Sequence, residues 1–248
     1  MSIKGILFDK DGTLIDFFEV WGRHVGRVVE RILEFYHLKG RADLKLAILE
    51  RLGVHGIVVD PEGDLAWKPY GLIAEDIAEI LDEALGRHVS IPELKQQLID
   101  IFYDEISASI SDYPVFTDMK KLVGKLEKMG IKIGLATTDE FKSTRLCMER
   151  MGIDKDITFY GTADRGLPEK PDGALIHRAA EKWGIKDEEI AMVGDTPNDM
   201  RFAHNGRGIG IAVLSGLGKR EDLQPLADYV IDSVDDLVPL LAKCAGGE

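Results

Sequence analysis

Cysteine is scarce in this chain: Cys147 and Cys244 are the only two in 248 residues. A pair so placed suits a reducing compartment and argues against a disulfide framework. Basic residues are also in deficit, 31 Lys and Arg against 44 Asp and Glu, for a net charge of −13. Nucleic acid and anionic membrane surfaces are held by clustered Lys and Arg, so neither partner is expected. The acidic excess reads as a solvated surface that keeps the protein soluble. No apolar run reaches the length of a membrane span. The first residues, "MSIKGILFDK", meet an aspartate after only a few apolar positions, which is not the pattern of a signal peptide. The expected location is therefore cytoplasmic. Internal repeats and low-complexity segments are absent, and the six histidines form no metal-spaced pair. "GLGKRED" lacks the full spacing of a phosphate-binding loop. Asp60 to Asp64 is too short and too poor in acids for a calcium loop, and a turn is expected there.

What is present is enough apolar material, 45% of residues, to build a core in one large domain or two modest ones. Ile3 to Phe8 is a short apolar run that ends in polar loop chemistry, the mark of a buried strand. From Glu19 to about Ser109 the chain reads helical. Trp21, Val25, Val28, Val29, Ile32, Leu33 and Tyr36 recur at helical spacing, opposite Arg23, Arg27, Glu30, Arg31 and Glu34. "ADLKLAILERL", "GLIAEDIAEILDEAL" and "IPELKQQLIDIFYDEISAS" supply three further helices, the last with Ser90 as N-cap and Pro92 in its first turn. An irregular or hairpin-like piece, "VHGIVVDPEGDLAWKPYG", lies between the first two of these. Trp21, Phe35 and Tyr36 are expected in the core of this helical part rather than as a substrate platform.

After "SDYPVF" helix and strand alternate, through "TDMKKLVGKLEKMG", "IKIGLA", "EFKSTRLCMERMG", "ITFYG", "DGALIHRAAEKWG" and "IAMVG" to a last short strand, "DYVID". Such alternation predicts a parallel sheet wrapped by helices on both faces. The fold class is thus α/β, a three-layer Rossmann-like core of residues 1–16 and 112–248, interrupted by an all-helical insertion of residues 17–111.

Four polar clusters sit at predicted strand ends, where ligands bind in open parallel sheets. Asp9 and Asp11 follow the first strand, Thr137 and Thr138 follow "IKIGLA", Lys170 precedes "DGALIHRAAEKWG", and Asp195 and Asp199 stand in "GDTPND". Carboxylates gathered at one place are unfavourable unless a cation holds them. Oxygen donors without a Cys or His cluster point to Mg²⁺ rather than zinc. A hydroxyl and an ammonium beside a hard cation are groups that hold phosphoryl oxygens. One aspartate can then act as nucleophile and the other as general acid and base. The competing structural readings are a strand-to-turn pair for Asp9 and Asp11, a helix cap for Asp195 and a solvated surface residue for Lys170.

"FDKDGTLID", "GLATTD", "KPDGALIHRAAEKWGI" and "VGDTPNDM", in this order, resemble the four motifs of the haloacid dehalogenase superfamily, in its phosphoglycolate-phosphatase-like branch with a helical cap. The resemblance spans the whole chain. It implies a Mg²⁺-dependent phosphomonoester hydrolase acting on a small phosphorylated metabolite, as monomer or homodimer. By that resemblance Asp9 is the nucleophile, and Asp11 protonates the leaving oxygen and then activates water. Thr137, with Thr138 beside it, and Lys170 bind the phosphate. The metal ligands are Asp9, the Asp11 backbone carbonyl and Asp195. Asp199 supports the metal shell or orients Lys170, while Gly12 and Thr13 open the turn that leads to the cap. The cap would close over the site, exclude water and set specificity. An acid at position 11 disfavours the dehalogenase and phosphonatase members.

Two positions depart from the family pattern: Thr138 stands where asparagine is frequent, and Gly173 where proline is common, which is expected to loosen that loop. Lys10 is expected to turn to the opposite side of the extended backbone from its neighbours. Lys68 is a weaker candidate for reaching substrate. A sugar-phosphate mutase of the beta-phosphoglucomutase type is the alternative, with His24 as the early polar group it would need. A non-catalytic regulatory protein is a third reading, disfavoured by the complete acidic set.

Overall fold

Gly5–Phe8 is buried at all four positions, as a strand covered on both faces must be. In the computed structural model, which describes residues 3–56, 58–60, 63–108, 114–166 and 168–246, this strand is β1. The chain then runs through α1 (Phe17–Phe35), α2 (Ala42–Arg51), β2 (Val54–His55), β3 (Val58–Val59), α3 (Asp64–Trp67), α4 (Tyr70–Leu85) and α5 (Ile91–Ala108). It continues through α6 (Met119–Lys128), β4 (Lys132–Ala136), α7 (Phe141–Met151), β5 (Phe159–Gly161), α8 (Ala174–Trp183) and β6 (Ile190–Gly194). The last elements are α9 (Pro197–Asn205), β7 (Ile209–Val213), α10 (Arg220–Leu223), β8 (Tyr229–Ile231) and α11 (Leu237–Gly246).

Two compact units result, Met1–Asp16 with Tyr113–Glu248, and Phe17–Asp112. The first holds a six-stranded sheet in the order β5-β4-β1-β6-β7-β8, parallel throughout. From β1 the chain adds β4 and β5 on one side, then returns to place β6 on the other. The strand order therefore reverses at β1, and the crevice beyond its C-terminal end is the natural ligand position of such a sheet. Leu7, Met192, Ile176, Ala179 and Phe202 form one buried cluster that seats α8 and α9 on the sheet. Each fully buried Leu, Ile or Phe in it contributes about 1.5–3 kcal/mol.

Among its described residues the second unit is built of helices apart from β2 and β3, an antiparallel pair in the segment expected to be hairpin-like. Its core joins α1, α4 and α5 through Trp21, Tyr70 and Phe102, with ring centroids 4.5 Å apart for Trp21–Phe102 and 5.5 Å for Tyr70–Phe102. Tyr36 is also buried, but Phe35 is 41% exposed, so the aromatic trio is not wholly core. Ser90 receives the Glu93 N–H on its hydroxyl, as expected of an N-cap. The expected helix end at Ser109, and Pro61 and Glu62 of the expected turn, lie outside the described residues.

The sequence pattern predicts "DYVID" as the last element, whereas the chain adds α11 beside α6. The helix carries Pro239 in its first turn, where no intrahelical N–H is needed, and buries Leu237 and Leu241.

Candidate active site

β1 ends at Phe8, and the next residue, Asp9, is anchored by its own N–H to the Val193 carbonyl of β6 (2.9 Å). Its carboxylate meets Lys170, whose Nζ donates to Asp9 Oδ1 at 2.7 Å and to Asp199 Oδ1 at 2.6 Å. Lys170 is thus no solvated surface lysine; its side chain is 8% exposed. Asp9, Asp195 and Asp199 are all buried, and one oxygen of each lies within 4.8 Å of the others.

Both Asp195 oxygens and the second oxygen of Asp199 are held by fixed donors. Thr13 Oγ1 donates to Asp195 Oδ1 (3.2 Å) and the Leu217 N–H to Asp195 Oδ2 (2.8 Å). Thr196 N–H and Oγ1 donate to Asp199 Oδ2 at 3.0 and 2.6 Å. The N-cap of α9 is therefore Thr196, in a reciprocal capping box with Asp199, and not Asp195.

Glycine makes this packing possible. Gly12 has φ +81°, and a Cβ there would stand 2.3 Å from Asp195 Oδ2. One on Gly216 would stand 2.1 Å from the same oxygen, and one on Gly218 would stand 2.2 Å from the Asp195 carbonyl. "GLGKRED", rejected as a phosphate loop, thus wraps its backbone around a carboxylate instead. Its missed signal was the pair of glycines flanking Leu217.

Burial dominates the electrostatics. Asp9 is raised to about 7: loss of hydration is the largest cause, Lys170 opposes it, and the Asp199 and Asp11 carboxylates add to it. Burial likewise raises Asp195 well above the carboxylate range, with Asp9 and Asp199 adding to it. Burial alone would lower Lys170, but Asp199 and Asp9 outweigh it and hold the ammonium charged. Three buried carboxylates against this one ammonium leave negative charge that an oxygen-seeking divalent cation would neutralise, so the donor set fits Mg²⁺.

Other residues singled out in the sequence fall nearby on the chain but in different settings. Thr137 is buried just past β4; its N–H bonds the Gly161 carbonyl (2.9 Å) and its hydroxyl accepts the Asp139 N–H (3.2 Å). Thr138 is half-buried beside it. Lys10 does not turn away from its neighbours. It is 1% exposed and pairs with Asp11 Oδ2 and, at 3.3 Å, with Asp139 Oδ2. Side-chain alternation fails as a guide because the strand ends at Phe8 and the chain bends at Lys10, whose carbonyl receives the Leu14 and Ile15 N–H groups.

At Gly173 a Cβ would lie 2.1 Å from the Gly206 nitrogen, so the position has no room for a side chain. In the second unit, Lys68 is paired with Asp64 (2.9 Å) and Asp76 (2.6 Å), and His24 meets Arg27 at 2.7 Å.

An open parallel sheet that gathers three buried carboxylates and a lysine beyond its central strand is an α/β architecture with a polar site at its switch point. A model of the haloacid dehalogenase-like hydrolases matches residues 3–207, and the chain belongs to that family. A pyrophosphatase PpaX from Bacillus mycoides is 32% identical over 127 residues, 50% of this chain and 58% of that protein. A phosphoglycolate phosphatase from Shigella dysenteriae is 26% identical over 251 residues, 97% of this chain and 93% of that protein.

Among solved structures, a predicted phosphoglycolate phosphatase from Haemophilus somnus superposes with a TM-score of 0.71 at 17% identity, covering 97% of this chain and 98% of that one. A beta-phosphoglucomutase from Clostridium difficile gives 0.65 at 15%, covering 95% and 93%. These two likenesses concern the fold. By its family the chain is a haloacid dehalogenase-like hydrolase. No helix among the described residues is long and apolar enough to cross a membrane.

Proposed function

We propose that the protein is a Mg²⁺-dependent phosphomonoester hydrolase of a small phosphorylated metabolite, working through an aspartyl phosphate on Asp9. The observation that carries this reading is the buried set of Asp9, Asp195 and Asp199 around Lys170. The names of the full-length and partial relatives, phosphoglycolate phosphatase and pyrophosphatase, favour a small, highly charged substrate.

Asp9, the Asp11 backbone carbonyl and Asp195 would hold the cation, which supplies charge neutralisation at the phosphoryl oxygens. Asp9 forms the new O–P bond, and the bond to the leaving oxygen breaks as that oxygen takes a proton from the Asp11 carboxyl. Asp11, now a carboxylate, removes a proton from the water that attacks the phosphoaspartate, which releases phosphate and restores Asp9. Thr137 and Lys170 steady the phosphoryl oxygens. Asp199, fixed by Thr196, aims Lys170 at Asp9.

The residues 17–111 act as a cap that selects the substrate. The test is a panel of phosphate esters and pyrophosphate, with Mg²⁺ and with a chelator, followed by inorganic phosphate release. Release that requires Mg²⁺ is expected. Conversion of a hexose 1-phosphate to the 6-phosphate without free phosphate would instead establish the mutase, and no turnover of any ester would leave a binding protein.

A further inference from the structure

Position 10 lies between the two aspartates of the first motif, in a pocket that excludes solvent. A side chain 1% exposed there would be buried at no electrostatic cost if it were apolar, yet the residue is lysine. Removing an ammonium from water costs several kcal/mol unless acids and hydrogen bonds replace its hydration. Lys10 meets this need with two carboxylates from different parts of the chain. Its Nζ donates to Asp11 Oδ2 and pairs with Asp139 Oδ2 at 3.3 Å.

Asp139 is itself immobilised. Its Oδ1 accepts the Glu140 N–H at 2.7 Å and the Ser143 hydroxyl at 2.8 Å, and its own N–H donates to Thr137 Oγ1 at 3.2 Å. The contacts therefore run from Asp11 through Lys10 to Asp139 and on to the threonine at the end of β4. Asp139 and Lys10 are nearly sealed, whereas the Asp11 side chain is 20% exposed.

We propose that Lys10 is a positioning residue that sets the Asp11 carboxyl for proton transfer and ties it to the loop that presents Thr137. This rests on the reading of Asp11 as the acid and base of a phosphoryl transfer. An ammonium is a donor only, so the Asp11 oxygen it holds must accept, and the exchanging proton is carried on the other oxygen, Oδ1. When the P–O bond breaks and its electron pair stays on the leaving oxygen, that oxygen takes this proton. Asp11 then becomes a carboxylate already in contact with a cation. Asp139 is the second carboxylate within reach of the Lys10 ammonium.

The test compares kcat/KM for 4-nitrophenyl phosphate, whose leaving group departs without help, with that for a simple alkyl phosphate, which needs the proton. General acid catalysis is worth about 10²–10⁴-fold where the leaving group is poor. Lys10→Met is expected to lose at least about tenfold more on the alkyl ester than on the aryl ester. Asp139→Asn, a milder change that keeps the shape of the pocket, should shift the ratio in the same direction and serves if Lys10→Met does not fold. In an Asp11→Asn background, Lys10→Met should change the ratio no further, because the pair acts as one unit.

An equal loss on both esters in a folded variant, or a further shift in the Asp11→Asn background, would overturn the proposal. A wild-type protein that turns over neither ester overturns the hydrolase reading itself and this role with it.

Discussion

At Asp9 burial outweighs the pull of Lys170, and the consequence is a stability that depends on pH. The carboxyl has an ordinary value of 3.8 and is pushed up to about 7 by burial. A group whose pKa rises on folding binds its proton more tightly in the folded state. Its stabilising contribution is complete below about 4 and is lost as the pH rises through about 7. Asp195, also raised by burial, acts in the same direction, and Lys170 stays charged across this window. Metal-stripped wild type should therefore lose thermal stability between pH 5 and pH 8 relative to Asp9→Asn, and differential scanning calorimetry of the two checks it. Added Mg²⁺ should raise the wild-type midpoint more at pH 8 than at pH 5, because protons compete for the same oxygens. The reverse order would mean that the acids are not what the cation meets.

At the scale of elements, two short motifs hold the lysine and the acids in register. The Thr196–Asp199 capping box fixes one side of Lys170, and Thr196→Ala is expected to cost about 1 kcal/mol, read in urea unfolding. Gly173 abuts the backbone of Gly206, so Gly173→Ala forces main chain apart and should cost about 1–3 kcal/mol, with a fall in turnover because Lys170 sits on the same loop.

The strands and helices that flank Asp9, Thr137, Lys170 and Asp195 are legible in the sequence because helical and strand periods alternate cleanly there. α11 is not, since Pro239 and the apolar run "LVPLLA" hide a helical start behind what resembles a tail. Lys10 departs from its expected side for a different reason. Alternation along a strand predicts direction only while the strand lasts, and the decisive partner, Asp139, lies 129 positions away in another loop. Likewise, the Leu217 N–H that holds Asp195 is a backbone group, which residue type does not announce.

At the scale of the whole molecule, the sheet order brings β4 and β6 to either side of β1, so segments far apart in sequence deliver their acids and lysine to one crevice. In the proposed reaction this crevice transfers a phosphoryl group to Asp9. The most direct measurement is Mg²⁺-dependent phosphate release by Asp9→Asn from an ester that the wild type hydrolyses, with folding checked by circular dichroism. A loss on the order of 10⁴-fold or more is expected, as for removal of a nucleophile. A folded Asp9→Asn protein that retains the full rate would contradict it.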